Sequence, residues 1–296
     1  MGPVLRWYRK AGRPLPWRGT REAYRILLSE IMLQQTGVRR VLEKYPEFLR
    51  RFPTLHALSR AERREVVLAW RGMGYNNRAV RLHLLARIVV KEHDGKLPAT
   101  EGLLRELPGV GKYTARALLS SVHGKPAAVV DINVRRFYSR LFFRMKTENA
   151  LCSETKAWTI ADRIIPARRS YDWNQALMDI GATVCTARRP RCGICPVAGT
   201  CRSREGMMPA RPAPRRQEPG LHGIPNRIYR GRIIEALRSG PERRLWHLDE
   251  IGRKILPGCS HDHRAWLTAV VRTLEADGLI QLRHSRRAGD AVIALA

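Results

Sequence analysis

At 296 residues the chain has room for roughly two or three domains, and a hydrophobic content of 44% supplies real cores, which excludes a chain disordered by composition. Its 55 Lys and Arg against 26 Asp and Glu give a formal charge of +29, divided as 37 basic to 16 acidic residues up to Cys201 and 18 to 10 after it. The excess is therefore not one tail, and a polyanion is the simplest partner.

No apolar run reaches the roughly 20 residues of a membrane span. The N terminus, M-G-P-V-L-R-W-Y-R-K, lacks the apolar core of a signal peptide, so a cytoplasmic protein without a membrane partner is expected. In that setting six cysteines point to metal ligation rather than disulfides.

In chain order, residues 4–18 predict a short helix and then the turn L-P-W-R (Leu15 to Arg18). In the following segment Tyr24, Leu27, Leu28 and Ile31 fall at i, i+3, i+4, i+7, the stripe of a buried helix. Glu30 and Gln34 lie four apart beside it, where a side chain reaches a cleft wall. A carboxylate at the edge of an apolar face is a candidate for acid/base work, although an isolated helix glutamate is more often simply solvated. Residues 39–95 read as amphipathic helices broken at Pro46, Pro53 and the turn before Gly72. In W-R-G-M-G-Y-N-N-R-A (Trp70 to Ala79), Tyr75 reads either as an aromatic free to enter a base stack or as a cap packed on Trp70.

From Leu103 a helix ends near Leu107, the turn Pro108-Gly109-Val110-Gly111 follows, and a second helix starts at about Lys112. The glycines permit positive φ, and the amides at the new helix N terminus (Gly109, Val110, Gly111, Lys112) suit a phosphate. Asp131 arrives after the apolar approach Ala127 to Val130, at the start of another helix. Taken alone, this is equally an ordinary interhelical turn and an N-cap. Two further helices span 151–181 and carry Gln175.

Cys185, Cys192, Cys195 and Cys201 follow with spacing C-x6-C-x2-C-x5-C. Structural zinc more often shows two Cys pairs around a long insert, whereas four-cysteine ligation suits a [4Fe-4S] cluster. Arg188, Arg189 and Arg191 lie inside this loop, and Cys152 and Cys259 fall outside the pattern. After a Pro/Arg linker (205–223), helices near 228–238, 248–255 and 263–277 and strands near 279–282 and 291–295 flank the basic turn R-H-S-R-R. That pattern resembles a winged helix, with the third helix as recognition helix.

The hairpin with its aspartate twenty residues beyond Gly111 resembles the helix-hairpin-helix–GPD signature of the endonuclease III and MutY DNA glycosylases. L-P-W-R with S-E-I-M-L-Q-Q-T, G-M-G-Y-N-N-R-A, W-N-Q-A-L-M-D-I-G-A and the cysteine spacing resemble MutY over residues 4–201. The resemblance implies a mainly α, two-lobed helical glycosylase core with a [4Fe-4S] loop (1–204, loop 185–201), joined to a small winged-helix-like domain (224–296). It places the general acid on Glu30, the sugar-facing carboxylate on Asp131 and the pocket pair on Trp17 and Arg18. Gln34 and Gln35 become base-stack probes, Tyr75 the wedge and Gln175 a pocket residue, with the phosphate at Gly109–Lys112. Asn76 replaces a tyrosine common in the family, Ile132 replaces the glycine after the aspartate, and the last third does not read as the Nudix-like domain that MutY enzymes usually carry.

Breaking an N-glycosidic bond needs a protonated leaving group and a stabilised sugar cation, which Glu30 and Asp131 suit. Tyr113 stands where bifunctional relatives carry an attacking lysine, and a phenol forms no Schiff base. The expectation is a monofunctional, monomeric, nucleoid-associated glycosylase acting on double-stranded DNA with a mismatched or damaged base, adenine opposite guanine or 8-oxoguanine first. Thymine or uracil removal from pairs with guanine stays open, and so does a non-catalytic iron–sulfur DNA-binding regulator.

Overall fold

The computed structural model describes residues 2–147, 150–206, 218–241, 244–284 and 291–296. In chain order its helices are α1 (Gly2–Ala11), α2 (Ala23–Leu33), α3 (Val38–Arg51), α4 (Leu55–Arg60), α5 (Arg63–Ala69), α6 (Asn77–Glu92), α7 (Glu101–Glu106), α8 (Lys112–Ser121), α9 (Ile132–Phe143), α10 (Glu154–Ile164), α11 (Ser170–Asp179), α12 (Asn226–Arg238), α13 (Leu248–Ile255) and α14 (Arg264–Ala276). The strands are β1 (Gly220–Leu221), β2 (Ile224–Pro225), β3 (Trp246–His247), β4 (Ile280–His284) and β5 (Ala291–Leu295). None of the described helices is long and apolar enough to cross a membrane.

Two compact units form, Met1–Glu30 with Leu97–Arg215, and Ile31–Lys96 with Arg216–Ala296. In the first, α9 and α11 bury Val134, Phe137, Tyr138, Trp173 and Leu177 with Trp158 of α10. Cys152 is buried in the same core, so it acts there as a small apolar residue. The Tyr24, Leu27, Leu28 and Ile31 stripe of α2 is buried as its spacing predicts. Beyond Asp179 the chain makes a π-helical turn (Ile180–Val184) that delivers Cys185.

In the second unit α3 runs through Pro46 instead of breaking there. Proline removes one i→i−4 bond, but Val41, Tyr45 and Phe48 keep a continuous buried face, while Leu42, the residue whose carbonyl loses its partner, is exposed. Conversely α2 ends at Leu33, one residue before Gln34, so Glu30 and Gln34 do not share a helix face. The cause is Arg78, whose guanidinium takes the carbonyls of Ile31 (3.0 Å), Met32 (2.8 Å) and Gln34. Those groups would otherwise be the orphan acceptors of a helix end.

The C-terminal part has the order helix–strand–helix–helix–hairpin, with antiparallel strands in the order β3-β5-β4 and Ile293 paired with both Trp246 and Leu282. That element order is the one expected of a winged-helix-like part. Its core of Tyr229, Ile233, Ile234, Trp246, Ile251 and Leu274 also takes in Val67 of α5. The β1–β2 hairpin precedes α12, where linker is expected. Most of the expected wing turn, and residues 207–217 of the expected linker, lie outside the described residues.

Candidate active site

In the first unit, one turn of backbone at Pro16–Arg18, the middle of α2, and the faces of α8 and α11 line a small cavity with Trp17, Ser29, Glu30, Ser120, Tyr171 and Gln175. Its volume is about 10 Å³, room for about one water. A base therefore enters only if these side chains give way. Glu30 is part-exposed at the rim and hemmed in by protein. Burial pushes its carboxyl up to about 7; Arg18 opposes that shift and the charge of Asp131 adds to it.

Asp131 is the N-cap of α9. One carboxylate oxygen accepts from Val134 N at 2.7 Å and the other from Asn133 Nδ2 at 2.7 Å. Its helix-capping role is thus real, and it coexists with electrostatic proximity to Glu30 and Tyr113. The segment leading to it is held by Asn174, which accepts from Val129 N and donates to Ala127 O. Tyr113, on the first turn of α8, donates its hydroxyl to Met178 Sδ at 3.1 Å. Burial, with the charges of Glu30 and Asp131, raises its pKa well above the phenol range despite Arg18. The adjacent Lys112 turns elsewhere, with Nζ 4.2 Å from the Trp158 ring centre.

Arg18 does not stand free in the pocket. It grips Asp179 bidentately at 2.8 and 2.9 Å, and Arg13 contributes two more bonds to the same carboxylate. Asp179 is fully buried. Burial alone would raise its pKa, but the Arg18 and Arg13 bonds outweigh it and hold the carboxyl below the usual range. A lone aspartate late in α11 carries no sequence signal of its own, so Asp179 was invisible without its partners. Tyr171, pushed up to about 12 mainly by burial, and Ser29 line the same cavity and likewise carry no sequence signal of their own.

The hairpin forms with α7 ending at Glu106, Gly109 at φ +81° and α8 starting at Lys112. Val110 is buried beneath the turn and Gly111 is exposed at the α8 N-cap, where no side chain caps the helix. That end presents amides and the positive pole of the helix dipole outward.

The four loop cysteines, Cys185, Cys192, Cys195 and Cys201, line one cavity with Arg140, Phe137 and Leu141. Four thiols around one cavity suit the four-cysteine ligation of an iron–sulfur cluster, so the donor set fits that group. The guanidinium of Arg140, itself buried, reaches Cys185 Sγ at 3.4 Å and the carbonyls of Thr186 and Ala187 at 2.7 and 2.8 Å. Arg188, Arg189 and Arg191 are exposed on this loop.

Gln34, Gln35 and Tyr75 belong to the second unit. Gln35 and Tyr75 both adopt left-handed backbone, φ +54° and +42°. Tyr75 is 48% exposed, while Trp70 is fully buried and bonds Gly74 O through its indole, and the Arg78 guanidinium lies 5.3 Å from the Trp70 ring centre and 5.7 Å from that of Tyr75. Arg78 links the two turns by donating also to Thr36 Oγ1, Met73 O and Gly74 O.

Residues 28–162 match the profile of the HhH-GPD superfamily base excision DNA repair proteins, and 185–201 match the iron–sulfur binding domain of endonuclease III. An adenine DNA glycosylase of Mycobacterium tuberculosis is 38% identical over 238 residues, 80% of this chain and 77% of the relative. Since the residues up to Cys201 make up about two thirds of the chain, that likeness runs past the cluster loop. The human adenine DNA glycosylase is 40% identical over 69% of this chain, which spans 39% of that longer relative. A thermostable thymine-DNA glycosylase superposes with a TM-score of 0.63 at 32% identity, covering 69% of this chain and 94% of the other. With the hairpin, the capping aspartate and the cysteine loop all formed in one unit, the chain belongs to the helix-hairpin-helix–GPD superfamily of base excision DNA repair glycosylases, in its MutY branch.

Proposed function

We propose that the enzyme removes adenine mispaired with guanine or 8-oxoguanine, as a monofunctional glycosylase acting as a monomer on chromosomal DNA in the cytoplasm. The observation that carries this reading is Glu30, whose carboxyl is pushed up to about 7 mainly by burial in the cavity that Trp17 and Gln175 line. A carboxyl in that range holds a proton near neutral pH and can deliver it. The proton passes from Glu30 to a ring nitrogen of the extruded adenine, and the electron pair of the N-glycosidic bond leaves with the base. Asp131, fixed by Val134 N and Asn133 Nδ2, stabilises the oxocarbenium-like sugar that remains. Water then adds to the anomeric carbon and gives up a proton to the Glu30 carboxylate, leaving an abasic site and free adenine.

The N terminus of α8, where no side chain caps the helix, holds a phosphodiester on the amides of Gly111 and Lys112, with Gly109 shaping the turn and Val110 N spent instead on Leu107 O at 3.1 Å, and Tyr75 fills the stack that the extruded base leaves. Gln34 and Gln35 probe that stack. The [4Fe-4S] cluster on Cys185, Cys192, Cys195 and Cys201 supplies no step in this chemistry; it folds the loop that carries the exposed arginines towards DNA. Likeness to a thymine-DNA glycosylase supports thymine as a second reading, but thymine leaves as an anion and needs no ring proton. On a duplex with one A·8-oxoguanine pair, Glu30→Gln and Asp131→Asn should lose base release while still retaining the duplex in a gel shift. Release at the wild-type rate by both variants would remove the reading.

A further inference from the structure

The turn that carries Tyr75 is held from two sides. Tyr75 sits at φ +42° without a glycine's freedom, between Gly74 at +68° and the helix start at Asn77. A non-glycine residue there is strained and persists only when its surroundings over-determine it. Arg78 grips the turn from within the helical lobe through Met73 O, Gly74 O and Tyr75 O. The other grip comes from the winged-helix part, more than 160 residues away in sequence.

Arg238, in the last turn of α12, has a side chain only 2% exposed. Its Nη2 donates to Val67 O at 2.6 Å and to the side-chain carbonyl of Asn76 at 3.0 Å. Its Nη1 bonds Glu235, whose other oxygen accepts from Arg71 Nε at 2.9 Å. The α12 end thus touches both flanks of the 67–76 segment, with Asn76 directly beside the wedge. Burying a guanidinium is costly, and Nε of Arg238 is buried without a hydrogen-bond partner, so the bonds to Val67, Asn76 and Glu235 are what offset that cost. An aliphatic side chain would serve if α12 needed only to pack against Val67.

We propose that Arg238 is a positioning residue, through which the winged-helix domain fixes Asn76 and so holds Tyr75 in the geometry that enters the base stack. The inference rests on the reading of Tyr75 as the wedge. It gives the C-terminal domain a part in base extrusion, separable from DNA affinity.

The test uses the full-length protein and a duplex with 2-aminopurine beside an adenine opposite 8-oxoguanine. Stopped-flow fluorescence reads extrusion, and a gel shift reads affinity. Arg238→Met and Asn76→Ala should each slow extrusion about tenfold, the scale of one lost hydrogen bond to a charged group, while affinity stays within about twofold. The double variant should be no slower than the slower single one, because both remove the same contact. Arg238→Lys should recover part of the rate. Asn76→Ala leaves the Val67 and Glu235 bonds in place, so it decides the matter alone if Arg238→Met fails to fold. Wild-type extrusion in Asn76→Ala, alongside slow extrusion in Tyr75→Ala, overturns the role of Arg238 and leaves the wedge standing. Wild-type extrusion in Tyr75→Ala removes the wedge itself, and Arg238's role with it.

Discussion

Arg136, one turn into the helix that Asp131 caps, donates to the carbonyl of Gly181 at 2.6 Å and to that of Cys185 at 3.0 Å. The first cluster ligand and the candidate sugar-facing carboxylate are therefore joined through one side chain. At the same crossing Gly181 packs against Asn133, the residue that donates to Asp131.

Gly181→Ala follows directly from that contact. A Cβ there would stand 2.8 Å from Asn133 Cβ and 3.0 Å from its carbonyl carbon and oxygen, and backbone cannot move aside cheaply. The variant should keep its iron–sulfur absorbance yet lose at least about tenfold in single-turnover rate, a small displacement at the site being enough for that. A variant with wild-type rate would show that Asn133 does not set the Asp131 position.

Glu30 yields a pH prediction with two halves. Its folded pKa of about 7 lies above the ordinary 4.5, so the proton it must deliver is lost as pH rises through about 7, and the rate should fall there. The same shift means that the folded state binds the proton more tightly than the unfolded chain. Its contribution to stability is full below about 4.5 and is lost as pH rises through about 7. Glu30→Gln should then cost roughly 10²–10⁴ in rate while melting higher than wild type at pH 8, and the difference should narrow strongly at pH 5. Equal melting curves at both pH values would show that the carboxyl is not held protonated.

At Asp131, capping and chemistry separate by substitution. Asparagine is as good an N-cap as aspartate, although its amide nitrogen would face Asn133 Nδ2, donor against donor. Asp131→Asn should stay within about 1–2 kcal/mol of wild-type stability and lose nearly all base release, as measured by chemical denaturation and single-turnover excision. A normal rate in a folded Asp131→Asn would reduce the residue to its cap.

Much of this was legible in the chain. The hairpin, the α2 stripe, α13 and β5 fall where their patterns put them, because each is decided by local turn chemistry or short-range periodicity. What escaped depends on partners far away in sequence. The early end of α2 is imposed by Arg78, and the two-residue strand β3 exists only because β5 pairs with it. Pro46 reads as a breaker until the buried face of α3 is known. Asp179 and Arg238 are single charged residues on helices, and only the groups they bind set them apart.

Tyr113 and Lys112 bear on the end point of the reaction. The phenol is buried against Met178 and the lysine lies over Trp158, so neither of these two side chains stands as a nucleophilic amine for the sugar. Borohydride should trap no covalent adduct, and the product should be an intact abasic strand until alkali is added. Efficient trapping by the wild-type protein would point to an amine that reaches the anomeric carbon.

The central claim, that Glu30 protonates a departing adenine, is tested most directly by single-turnover excision from duplexes that pair A, T, U or C with G or 8-oxoguanine, with the released base identified by chromatography. The account predicts adenine from both pairings, abolished by Glu30→Gln. Robust thymine release from G·T with no adenine release from either pairing would contradict it.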